Sequence, residues 1–234
     1  MLSLGEPLEG FLGGGLPEKA LSMVFGGWGA GKSNFALIAA GQAARKGKVL
    51  FVDCKNGFST ERLKQLFPED IDSILGNILV IEPNDFDQQK VAVKRLEEFL
   101  AKEKFSLVIV DSIIHQYWVQ VDRDFRDIER QLAQLMRLSK IYGLPVLVTS
   151  RPTYDREKGT TKPFGGESIP YWFSVIIEFI REEEFGGYSK RFMVLRKHPS
   201  LKEGKALEFK IEDRGIVKVR ELNPREVKSS QEKN

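Results

Sequence analysis

Gly26-Gly27-Trp28-Gly29-Ala30-Gly31-Lys32-Ser33 fits the pattern G-x-x-x-x-G-K-[ST]. An apolar run, Leu21–Phe25, precedes it, and helically spaced Phe35, Leu37, Ile38, Ala40 and Ala43 follow, closed by Gly47. Strand, glycine-rich turn and helix in that order make a phosphate cradle. Glycines let the backbone wrap, so that successive N–H groups face phosphate oxygens, and the helix start adds its positive dipole end. In such a cradle residues Gly26, Gly27, Trp28, Gly29, Ala30, Gly31, Lys32 and Ser33 surround a nucleotide, ATP with Mg²⁺. Lys32 reaches the outer phosphates and the Ser33 hydroxyl ligates the metal. The competing reading is a glycine-rich turn that happens to precede a lysine; the flanking strand and helix speak against it.

Working outward, strand-type and helix-type runs alternate. Lys48–Asp53 reads KVLFVD, a continuous apolar run of the kind buried on both faces. A short helix opens at Ser59-Thr60-Glu61 and runs to Phe67; Asn77–Glu82 is the next strand. Asn84 or Asp85 caps a helix through Lys104, with Val91, Val93, Leu96, Phe99 and Leu100 on one broad side. Phe105–Val110 is a strand ending in Asp111, a helix runs from about Phe125 to Tyr142, and Leu144–Thr149 is a fifth strand. This alternation predicts an α/β fold with a mainly parallel sheet covered by helices on both faces. Arg151–Ser168 has no period and reads as a mobile loop. Ser174–Ile180, Lys190–Leu195, Ala206–Ile211 and Ile216–Val219 follow, with turns at Gly186-Gly187 and Asp213-Arg214-Gly215, as an antiparallel extension of the sheet. The core is expected over residues 1–222, with 223–234 a charged flexible tail.

Asp111 is the second site candidate. A carboxylate at the tip of a buried strand can hold Mg²⁺ opposite the phosphate loop; the alternative is an aspartate that merely caps the next turn.

Composition bounds the partners. The chain has 234 residues, 36 Lys and Arg against 33 Asp and Glu, and a net charge of +3, so any DNA contact rests on local patches. A single cysteine, Cys54, excludes an intramolecular disulfide and a cysteine-cluster metal site. No apolar run reaches the ~20 residues of a membrane span, and the opening MLSLGE lacks the basic start of a leader. The expected home is the cytoplasm.

From Leu2 to about Val219 the chain resembles the RecA-type recombinases, and within them the archaeal RadB group. The resemblance rests on the opening LSLG, Leu12-Gly13-Gly14-Gly15-Leu16-Pro17, the phosphate loop and FVDCKNGFSTERL (Phe51–Leu63). It continues through LVIVDS (Leu107–Ser112), LPVLVTS (Leu144–Ser150), KPFGGESIPY (Lys162–Tyr171) and GKALEFKIEDRGI. It implies a RecA-type P-loop ATPase core, a role in DNA repair and homologous recombination, and no N-terminal helix-hairpin-helix domain or polymerisation motif. It also implies partners such as a RadA-type recombinase, a Holliday-junction resolvase or a DNA polymerase.

The departures from that pattern concern one phosphate. Where the resemblance expects Asp-Thr-Glu, with the glutamate orienting the attacking water, this chain has Asp53-Cys54-Lys55. Ser150-Arg151 replaces an expected Asn-Gln pair, and Ile114 an expected Thr. ATP binding with weak or absent hydrolysis is the resulting expectation; the alternative is that Lys55 is an ordinary solvent-facing loop residue. The resemblance further places DNA-facing loops at His115–Asp127, which carries Tyr117, Trp118, Arg123 and Arg126, and at Arg151–Glu167. The second loop offers Arg151, Arg156, Lys158 and Lys162, offset by three acidic residues. A further basic cluster holds Lys190, Arg191, Arg196, Lys197, His198, Lys202 and Lys205, with Arg191, Arg196, Lys197 and Lys202 the DNA-binding candidates, and equally reads as a solvated hairpin face. Trp172 and Phe173 are a candidate exposed contact patch. A pseudo-ATPase interaction module without DNA contact, and a KaiC-like regulatory ATPase, are the other readings.

Overall fold

The computed structural model describes residues 1–155, 160–165, 168–183 and 189–222. The strands are β1 (Leu21–Gly26), β2 (Lys48–Asp53), β3 (Ile78–Ile81), β4 (Phe105–Asp111), β5 (Val146–Ser150), β6 (Pro152–Asp155), β7 (Thr160–Pro163), β8 (Val175–Glu183), β9 (Ser189–Lys197), β10 (Ala206–Glu212) and β11 (Gly215–Leu222). The helices are α1 (Leu8–Leu12), α2 (Lys32–Ala44), α3 (Thr60–Leu66), α4 (Ile71–Gly76), α5 (Phe86–Leu100), α6 (His115–Val119) and α7 (Arg126–Tyr142). A nine-stranded sheet runs in the order β11-β10-β9-β8-β1-β5-β4-β2-β3. The half from β8 to β3 is parallel, and β8 through β11 pair antiparallel. The α/β fold with an antiparallel C-terminal extension is therefore the one expected. The inner strand of that extension, β8, joins β1 in parallel.

The continuous apolar runs are explained by two cores on opposite faces of the sheet. Val49, Phe51, Leu107 and Ile109 pack on one face with α2. Leu50, Val52, Val108 and Val110 pack on the other, against residues of α5 and α7. Because side chains alternate, a strand buried on both faces must be apolar at every position. Each fully buried Val, Leu or Phe contributes about 1.5–3 kcal/mol. Helix α2 is likewise apolar almost all round, since it lies between the sheet, from β2 to β11, and the helices α3 and α4.

Local capping is as read for the middle helices. Ser59 Oγ accepts from the Arg62 amide at 3.0 Å, Asp85 Oδ1 from that of Gln88 at 2.7 Å, and Gly143 ends α7 in the left-handed region at φ 70°. Helix α5 ends at Leu100, earlier than expected. Helices α1, α4 and α6 have no counterpart in the sequence pattern; at five or six residues they are too short to display a period.

Arg151–Ser168 is not a structureless loop. Its described part contains β6 and β7, paired antiparallel as Pro152↔Pro163 through Asp155↔Thr160. The pairing is carried by backbone bonds without apolar alternation, so pattern reading passes over it. The expected Gly186-Gly187 turn and the tail from residue 223 lie outside the described residues.

Candidate functional site: a phosphate loop with an internal cation

Parallel strands end on the same edge, so the segments after β1, β2, β4 and β5 converge there. The loop after β1 leads into α2, whose first turn carries Lys32 and Ser33. Glycine is required at two points. A Cβ on Gly26 would lie 2.1 Å from the carbonyl oxygen of Phe179, so β1 could not approach β8. Gly31 adopts φ 112°, outside the range of an L-residue. Arg191 Nε donates to Gly29 O at 3.1 Å, and the Arg181 guanidinium lies 5.7 Å from the ring of Trp28, which is 90 % exposed. Lys32 Nζ donates to Gly27 O at 2.6 Å, back onto its own loop.

The decisive contact comes from the segment after β2. Lys55 Nζ donates to Ser33 Oγ at 2.7 Å and to Asp111 Oδ1 at 2.9 Å. Lys55 is therefore no solvent-facing loop residue. Its side chain is 23 % exposed and that of Asp111 2 %. The turn that delivers it is built on Asp53, whose carboxylate accepts from the Lys55 amide at 3.3 Å and the Phe58 amide at 2.6 Å. Asp111 also accepts from Thr149 Oγ1 in a short bond, and the Asp111–Ser112 peptide is cis. The Cys54 amide donates to Asp111 O at 2.8 Å, fastening the β2 and β4 ends together.

Positive charge dominates the cradle. Burial first, then repulsion from Lys55 and Arg151, lowers the Lys32 ammonium to about 8, against the opposing pull of Asp111. His115 is lowered by burial and then by Arg151 and Lys55. Burial, then the carboxylates of Asp111 and Asp53, pushes the Cys54 thiol far up.

Ser33 and Asp111 are thus brought together as a divalent-cation pair would be, but an ammonium stands between them. Mg²⁺ demands oxygen ligands at about 2.0–2.1 Å in octahedral array. As arranged, the pair does not fit that ion unless Lys55 leaves.

Several of the expected DNA-facing residues are engaged by groups of the protein itself. Arg196 pairs with buried Glu178, Lys197 Nζ donates to Pro170 O at 2.8 Å, and Lys162 pairs with Asp155 at 2.9 Å. Arg191 braces the phosphate loop, whereas Arg151 and Lys202 are exposed. Arg156 and Lys158 lie outside the described residues. Tyr117 is buried among Phe86, Phe125 and Phe164, so it is not available for stacking on a base. Trp118 is exposed, with Arg123 over its ring at 5.3 Å. Phe173 is buried and Trp172 packs on the core; Tyr171 is the exposed aromatic of that segment. Sequence reading missed Thr149 and the turn-capping role of Asp53, since each role is a contact that the fold makes, Thr149 with Asp111 and Asp53 with the Lys55 and Phe58 amides.

The family model described as Rad51 matches residues 3–219. RadB proteins of DNA repair and recombination are similar over nearly the whole chain. That of Methanosphaera stadtmanae is 32% identical over 225 residues, 93% of this chain and 95% of the relative. That of Methanobrevibacter smithii is 33% identical over 219 residues, 90% and 92% of the two.

The chain belongs to the RadB branch of the Rad51 family.

A crystal structure of the RadB recombinase superposes with a TM-score of 0.80 at 30% identity, covering 94% of this chain and 100% of that one. Membership of the Rad51 family implies nucleotide binding and places this RadB-type chain among DNA repair and recombination proteins. Among the described residues no helix is long and apolar enough to cross a membrane.

Proposed function

We propose that this protein binds ATP in the 26–33 loop, hydrolyses it weakly or not at all, and serves as an accessory in homologous recombination. The observation that carries the reading is Lys55. It occupies the position where the resemblance expects the glutamate that orients water, and a charged lysine cannot accept a proton. Loss of a general base costs about 10²–10⁴ in rate. Two carboxylates near Lys55 are committed elsewhere: Asp53 caps the turn, and Asp111 accepts from Lys55 and Thr149. Phosphate binding remains well supported, since Lys32, Lys55 and Arg151 supply charge at the cradle. DNA contact in this reading falls to the edge loops, through Trp118, Arg123 and Arg151. The partners are a RadA-type recombinase, a Holliday-junction resolvase or a DNA polymerase.

The test is nucleotide binding and turnover measured in one preparation, with and without single-stranded DNA. Binding with turnover far below that of a RadA-type recombinase is expected; brisk turnover overturns the reading.

A second reading, an ATP-stabilised interaction module without DNA contact, is favoured by one observation. Arg191, Arg196 and Lys197 are all committed to groups of the protein itself. A DNA titration at two salt concentrations separates the two, because each phosphate contact adds about 0.7–0.9 to the logarithmic salt slope.

A further inference from the structure

The cradle holds a cation that belongs to the chain. Lys55 Nζ bridges Ser33 Oγ at 2.7 Å and Asp111 Oδ1 at 2.9 Å, the hydroxyl and carboxylate that would otherwise share a divalent ion. We propose that the Lys55 ammonium takes the place of that ion, so that this protein binds the phosphates of a nucleoside triphosphate without Mg²⁺. The inference rests on the reading of residues 26–33 as a nucleotide site.

Several features hold the ammonium where it is. The two bonds from the Lys55 and Phe58 amides to the Asp53 carboxylate fix the turn, and Asn56 completes it at φ 53°. Gly57 keeps the lysine stem clear, since a Cβ there would lie 2.9 Å from Lys55 Cε. Asp111 is nearly sealed from water, and the ammonium is its charge partner; removing it leaves a buried carboxylate whose remaining side-chain donor is Thr149.

The chemistry is also matched to a phosphate. An ammonium has three N–H donors; two are spent on Ser33 and Asp111, and the third is left for a ligand oxygen. One unit of charge replaces the two of a metal, and the exposed Arg151 guanidinium supplies a further unit at the same edge. A divalent ion entering beside Lys55 would meet like charge and find both of its protein ligands occupied.

The experiment is equilibrium binding of a fluorescent ATP analogue to the full chain, in excess EDTA and in millimolar Mg²⁺. Affinities within about threefold of each other are expected. Binding that is tight in Mg²⁺ and weakened about tenfold or more in EDTA overturns the inference while leaving the nucleotide site intact. No binding in either condition overturns the nucleotide site as well. Lys55→Met sharpens the result: its binding should fall about tenfold or more in EDTA and recover in Mg²⁺. Equal loss in both conditions would show that Lys55 does not stand in for the metal. The EDTA comparison on the unmodified protein decides the matter even if Lys55→Met does not fold.

Discussion

Arg196 on β9 lays its guanidinium against Glu178 on β8, with Nε 2.6 Å from Oε2, and the glutamate side chain is only 3 % exposed. Glu178 stands opposite Phe25 of β1 and Val194 of β9 and also accepts from Thr161 Oγ1. The pair therefore ties the hairpin of β6 and β7 to the centre of the sheet. Arg196→Ala should destabilise the fold by roughly 2–3 kcal/mol, short of a fully sealed pair because the guanidinium is partly exposed. Urea unfolding measures this. Lys202→Ala, at an exposed position, should leave stability unchanged; a DNA titration in low and moderate salt would then show whether Lys202 adds to the salt slope.

Lys55→Glu removes the internal cation and supplies the carboxylate that the family pattern expects. Phosphate release should rise by up to about 10²-fold. The gain should require Mg²⁺, since the introduced carboxylate and that of Asp111 then lie side by side and need a divalent counterion. A variant that binds ATP with Mg²⁺ and turns over no faster would refute Lys55 as the cause of weak hydrolysis.

Lys32 carries a pH signature. Its ammonium titrates at about 8, lowered by burial and then by Lys55 and Arg151. A bound triphosphate favours the charged form and raises that value again. Affinity should be flat well below the transition, then fall toward about tenfold per pH unit above it. Binding near the transition should take up a fraction of a proton. Calorimetry in two buffers of different ionisation enthalpy reads that uptake directly; identical heats would contradict it.

Cys54 should be chemically silent. It is buried, and burial together with the Asp111 and Asp53 charges holds its thiol far above the ordinary range. A thiol-reactive dye should label the native protein at a small fraction of the rate seen in denaturant. Rapid native labelling would mean that the β2 end opens.

Gly26→Ala tests the closeness of β1 and β8. The added methyl would meet the Phe179 carbonyl at 2.1 Å, a backbone clash that no rotamer relieves. Expected are a lowered melting temperature and weaker nucleotide binding together. Gly27→Ala, where a Cβ meets nothing within 4 Å, is the control and should leave stability near that of the parent.

Much of the architecture follows from the chain alone, because the signals are local. A six-residue apolar run such as KVLFVD, preceded by Gly47, reads as a strand with both faces covered, and GGWGAGKS between a strand and a helix reads as a phosphate loop. Backbone period and glycine freedom are properties of neighbours in sequence, so the parallel sheet and the phosphate loop were legible. What tertiary structure decided is how side chains far apart along the chain meet. Lys55 could be read as a missing acid, but that its ammonium lands between Ser33 and Asp111 depends on β2, β4 and β1 ending on one edge. Likewise Arg191, Arg196 and Lys197 form a basic cluster in the sequence, but Arg191 lies opposite Arg181 at one end of the β8–β9 pair and Lys197 opposite Ile176 at the other, and the three meet separate partners. Charge counts along a sequence cannot foresee this, since a cation's role is set by the partner that burial and register place beside it.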